Sequence, residues 1–128
     1  MDNTCPSGRL KRENMKMIRI AEDFSEFPGG RYPEDGDGNG TTFREKFLVP
    51  AIESNEKVTI VLDGTRGYPS SFLEEAFGGL IRNGIPAEKI ESCFSYVAEQ
   101  PGFARFIDMI SEHVSRAVKA RISTAAKD

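Results

Sequence analysis

The sequence predicts an α/β domain, a small mostly parallel or mixed sheet flanked by helices. Three observations carry this. Short strand-like runs around Ile18, Ile60 and Phe94 alternate with longer amphipathic segments. The longer segments repeat apolar residues at helical spacing. No internal repeat or second core is visible in the 128 residues, a length that suits one domain. Strands alternating with helices need crossover connections, and those favour parallel pairing.

Residues 1–14 are polar and aperiodic and read as a disordered tail or upstream extension, with Met15 or Met17 as an alternative start. Residues 15–122 form the single domain, and 123–128 a short flexible tail. Ile18 and Ile20 flank Arg19 as in a half-buried strand. Pro28 to Gly40 is a glycine- and proline-rich loop with room for a short strand around Arg31 and Tyr32. Thr42 to Ser54 reads as a helix. Thr42 and Glu45 have capping-box spacing, and Phe43, Phe47, Leu48, Ala51 and Ile52 form its stripe. Pro50 predicts a kink or a fresh helical turn that starts with it.

Lys57 to Gly64 is a strand whose near-continuous apolar run (Val58, Ile60, Val61, Leu62) suggests cover on both faces. Ser71 to Asn83 is the next helix, stopped by Asn83-Gly84 with Pro86 beyond. Glu91 to Val97 reads as a strand that contains Cys93. Pro101 to about Ala120 is the last helix, its stripe running from Phe103 through Ile110 to Val118.

Composition narrows function. The formal net charge of −3, without a Lys/Arg cluster on one element, gives no electrostatic case for nucleic acid. The apolar runs are too short for a membrane span. There is no apolar leader segment, and Cys5 and Cys93 sit in unrelated settings, so neither a disulfide nor a metal site is expected. A reducing cytoplasm is the simplest compartment.

Asp35, Asp37, Asn39 and Gly40 imitate the start of a calcium loop, but Lys46 occupies the twelfth position, where a glutamate is needed. The stretch reads as a polar turn. No cofactor and no phosphate loop is expected. Arg31 could pair with a phosphate or a carboxylate, or make a structural ion pair. Asp63 ends a central strand, where α/β sheets place ligand crevices, or it fixes the adjoining loop by hydrogen bonds. Tyr32, Gly67 and Tyr68 are expected near that end of the sheet, beside Arg31.

The stretch GYPSSFLEEAFGGL holds two adjacent serines. Ser71 and Glu74 have capping-box spacing, which leaves the Ser70 hydroxyl free at a helix start that favours an anion. Gly78 and Gly79 in mid-helix each cost about 1 kcal/mol relative to alanine, so something approaches there: a helix of the same chain or a partner. Glu75 and Gly78 are taken as partner- or ligand-facing. Glu74 and Glu75 point about 100° apart and do not read as a catalytic pair. His113, the only histidine, reads as a boundary residue of the last helix.

VTIVLDGTRGYPSSFLEEAFGGLIR resembles the central segment of STAS domains, the anti-sigma-factor antagonist fold, where a buried strand ends in Leu-Asp and a serine pair opens the next helix. More closely, the stretch from about Ile18 to Val97 resembles the STAS-like family DUF4325, on GGRYPEDGDGNGTTFREKFLVPAI, VLDG and GYPSSFLEEAFGGLIR. The resemblance implies a STAS-like fold and a partner-switching role. It implies that a GHKL-type serine kinase, itself an anti-sigma factor, phosphorylates the serine matching Ser70 and is released by doing so. The expected function is therefore a non-enzymatic regulatory interaction module, with Ser70 as switch and Ser71 as cap. The alternative is a small anionic-ligand or nucleotide-binding domain that grips its ligand with Arg31, Asp63 and Ser70. A hydrolase ranks third, because no base is visible for the serine.

Overall fold

The computed structural model describes residues 15–127. The tail assigned to residues 1–14, and Cys5 with it, lies outside the described residues. Strands β1 (Met15–Arg19), β2 (Lys57–Val61) and β3 (Phe94–Val97) form one sheet in the order β1-β2-β3. Both pairings are parallel, with Ile18 beside Ile60 and Ile60 beside Tyr96. The expected small α/β fold is present.

Helix α1 spans residues 40–53 and joins β1 to β2. Its cap is Asn39, not the predicted Thr42–Glu45 box. Asn39 Oδ1 accepts the Thr42 N–H at 2.8 Å, and its Nδ2 donates to the Gly36 carbonyl at 2.7 Å. The helix passes Pro50 by widening one turn. Over Arg44–Leu48 the spacing opens by one residue, so the Val49 N–H reaches the Arg44 carbonyl. The wide turn relieves the clash of the proline ring with the preceding turn. The helix then resumes at Val49, one residue before Pro50.

Helix α2 covers residues 70–82 and has a similar wide turn at Glu74–Gly78. It ends at Asn83, and Gly84 takes the left-handed φ of 98°. Helix α3 (Ala87–Cys93) takes Glu91, Ser92 and Cys93, which the sequence assigned to a strand. Ile90 and Cys93 are buried at i, i+3 spacing, which only a helix achieves, and the Cys93 thiol reaches the Glu56 carbonyl at 2.7 Å. Helix α4 (Ala104–Lys127) has 24 residues and includes 123–127, which were expected as a tail. Around Arg31 and Tyr32 the chain makes a single short helical turn, Pro33–Asp35, in place of the short strand.

The sheet is covered mainly on one face, not two. Ile18, Val58, Ile60, Leu62 and Phe94 point into the core. On the other face Met17, Thr59 and Ser95 lie side by side, with Met17 and Ser95 exposed. Parallel crossovers are right-handed almost without exception, so two that step the same way, β1 to β2 to β3, lay their helices on one side. Helix α2 is the centre of that layer, with α1 and α4 against it. Five phenylalanines (Phe24, Phe43, Phe47, Phe72, Phe77) form one aromatic cluster there, and Tyr68, Phe103 and Phe106 continue it. Among the described residues no helix is long and apolar enough to cross a membrane.

Candidate functional site

The serine pair opens α2, but neither serine caps it. Pro69 is the residue before the helix, with extended backbone (φ −62°, ψ 147°). Its carbonyl accepts from Phe72 and Leu73 at 3.1 and 3.2 Å. The Ser71–Glu74 capping box does not form, because Ser71 lies inside the helix, two residues past its cap, and Glu74 is held by arginines. Ser70 is exposed, and the N–H groups of Ser70 and Ser71 have no intramolecular partner among the described residues.

The Ser70 hydroxyl has a neighbour that the sequence reading missed. His113 Nε2 of α4 lies 3.1 Å from Ser70 Oγ. His113 is not a boundary residue: it is 7% exposed, and its Nδ1 is buried without a hydrogen-bond partner among the described residues. Burial lowers its pKa below the ordinary histidine value, with the Glu74 charge pulling the other way. The available signal was spacing. Phe106, Ile110, His113 and Ala117 recur every three or four residues, and a polar ring within such a stripe is buried, not peripheral.

Beside this pair, three arginines meet two glutamates. Arg44 is 7% exposed, and its Nη1 donates to the Glu75 carbonyl at 2.5 Å and to Glu75 Oε2 at 3.0 Å. Arg31 donates to Glu74 Oε1 at 2.5 Å, and Arg82 bonds both glutamates. The Thr41 hydroxyl donates to the Arg31 carbonyl at 2.7 Å and lies 3.2 Å from Glu75 Oε2. Arg31 is thus a structural ion pair. Glu75 and Gly78, expected to face a partner, are buried instead. A side chain on Gly79 would overlap the Arg44 guanidinium, and one on Gly78 would meet Glu74 Oε2 at 2.8 Å. The glycine pair makes room for the chain's own arginines and carboxylates.

Burial alone would raise the Glu74 carboxyl, but hydrogen bonds from Arg82 and Arg31 outweigh it and hold the group below its ordinary value. A lowered carboxylate pKa adds stability that is complete above the unfolded value, near 4.5, and is lost as the pH falls through the folded one. Glu74→Gln is therefore expected to be less stable than wild type at pH 7. Its stability should also decline less steeply below about pH 4.5. Urea unfolding at a series of pH values checks this, and parallel acid limbs would contradict it.

Asp63 does not reach Ser70 or Arg31. Its carboxylate accepts the backbone N–H of Gln100 at 2.6 Å and of Glu99 at 3.0 Å, which ties the end of β2 to the loop after β3. Tyr68 is buried and donates to the Leu62 carbonyl at 2.7 Å, and burial raises its pKa. Tyr32 is 49% exposed. Gly67, at φ 113°, makes the turn that only glycine readily allows. A shallow, open depression of about 390 Å³ lies next to Ser70, between Phe27, Pro69 and the two arginines Arg66 and Arg105. Arg66 stacks over the Phe27 ring at 5.2 Å, and Phe27 is 62% exposed.

A three-stranded parallel sheet with a serine-led helix at its centre defines a small α/β domain of STAS-like type. Residues 39–101 match the family described as the STAS-like domain of unknown function (DUF4325). No curated protein and no solved structure matched the chain.

Proposed function

We propose that this domain is a non-enzymatic regulatory interaction module of partner-switching type, modified on Ser70, with a GHKL-type ATPase or serine kinase as partner. One observation carries the reading. Ser70 is presented to solvent at a rigid helix start with unfilled N–H groups, while α2 is buried from Phe72 to Ile81 apart from half-buried Glu74. The docking surface is then the loop from Gly67 to Ser71 with its exposed neighbours Phe27, Arg66 and Arg105, and not the helix beyond. A phosphate of charge about −1.5 to −2 there would change that surface without unfolding α2. The ligand-binding alternative loses its grip residues, since Arg31 is committed to Glu74 and Asp63 to two backbone N–H groups.

Co-expression with a GHKL-type kinase encoded nearby, followed by intact-mass measurement, tests the proposal. Wild type and Ser71→Ala should gain about 80 Da, and Ser70→Ala should not. Loss of the modification in Ser71→Ala alone, or no modification and no complex in wild type, would overturn it.

A further inference from the structure

We propose that Ser70 and His113 act as one unit: His113 Nε2 takes the hydroxyl proton when Ser70 is phosphorylated, and the imidazolium so formed then holds the phosphate. This rests on the reading of Ser70 as phosphoacceptor. In the transfer, the bond between the γ-phosphorus and the bridging oxygen of the kinase's nucleoside triphosphate breaks. The bond from Ser70 Oγ to phosphorus forms. The nucleoside diphosphate leaves with the bonding pair, and the Oγ proton passes to Nε2. The step needs Nε2 bare and the ring proton on Nδ1.

The geometry supports both halves. Nε2 is already at 3.1 Å from Oγ, within reach for proton transfer. The ring is buried and fixed in the stripe of α4, while Ser70 opens to solvent, so a phosphoryl donor can approach from the side away from the histidine. A purely structural reading explains His113 poorly. Its Nδ1 has no partner among the described residues, and an unsatisfied buried polar group costs about 1–3 kcal/mol that an apolar residue in the same stripe would avoid.

Charge favours the same sequence of events. The groups around His113 are Glu74 from α2, Arg31 from the loop before α1, and Glu112 and Arg116 from α4 itself. Before modification burial prevails and the ring is neutral, which suits a proton acceptor. A phosphate on Ser70 would add a nearby negative charge and reverse the balance. The unfilled N–H groups of Ser70 and Ser71 would share the load on the phosphate oxygens.

His113 is the only histidine, so its imidazole C2–H signal in a proton NMR titration is unambiguous. The full chain would be titrated unmodified and with phosphoserine installed at position 70 during translation. The midpoint should lie below 6.5 in the unmodified chain. It should move up by about 1–3 pH units in the phosphorylated one. Equal midpoints would overturn the phosphate-holding half. This arm needs no kinase, so it separates a failed partner assignment from a failed inference. Where a kinase acts, His113→Gln keeps a neutral polar side chain but offers no base, and phosphorylation should slow by about 100-fold or more. An unchanged rate in a folded His113→Gln chain would remove the proton-acceptor half.

Discussion

Gly79→Ala is expected to destabilise the domain by about 3–5 kcal/mol, as removal of one partner from a buried ion pair does. In an open helix the same change would stabilise by about 1 kcal/mol. The sign is reversed by Arg44. An added Cβ would overlap Nη1 and stand 2.8 Å from Cζ. The guanidinium cannot step aside, because it is buried and bonded to both the carbonyl and the carboxylate of Glu75. Its expulsion leaves Glu75 short of a partner and opens a polar void. The adjacent Gly78→Ala meets the ends of the Glu74 and Arg82 side chains, which lie at the surface and can shift together as a pair, so its cost should stay below about 1 kcal/mol. The decisive comparison is a cycle with Arg44→Ala. Once the guanidinium is gone, adding Gly79→Ala should cost nothing or stabilise by up to about 1 kcal/mol. Urea unfolding of the four proteins measures this. Additive losses would show that Gly79 is needed for some other reason.

The same pair of glycines shows what local sequence can and cannot reveal. Their presence in mid-helix signals a close approach, and the structure supplies it from within the chain. The approaching residue, Arg44, is 31 positions from the glutamate that holds it, and no local pattern links them. The capping signals failed for a related reason. Ser71-x-x-Glu74 has the spacing of a box, but the helix starts earlier, at Ser70 after Pro69, and Arg31 and Arg82 take the Glu74 carboxylate. Strand β2 and the stripe of α4 were legible because burial alone dictates alternation and periodicity. The junction at Cys93 and Phe94 was not, since ESCF satisfies a helix end and a strand start equally well. Cover on one face of the sheet follows from strand order, which the apolar run of β2 does not encode. The approach of His113 to Ser70 spans 43 residues and becomes visible only when α4 is laid across α2.

Phe72→Ala should cost about 3–5 kcal/mol, and it should also loosen the Ser70 site. The Phe72 ring is fully buried, with its centroid 5.8–6.2 Å from those of Phe43, Tyr68 and Phe24. Tyr68 in turn packs on Phe106 of α4 and bonds the Leu62 carbonyl at the end of β2. Removing the ring leaves a cavity between α1, α2 and the Gly67–Pro69 turn, so the turn that aims Ser70 loses its backing. Phe72→Leu keeps most of the volume and should cost under about 2 kcal/mol. Urea unfolding gives the energies, and the His113 C2–H signal reports the site: its midpoint should drift toward an ordinary histidine value in Phe72→Ala as the ring gains solvent. A cost below about 1 kcal/mol, or an unmoved His113 midpoint, would show that Ser70 is held by something other than this core. Successive helical residues are about 100° apart, so residues 70 and 72 lie on nearly opposite faces. Anchoring Phe72 in the core is therefore what turns Ser70 outward, and Ser71 between them is left half-buried with no capping bond to make.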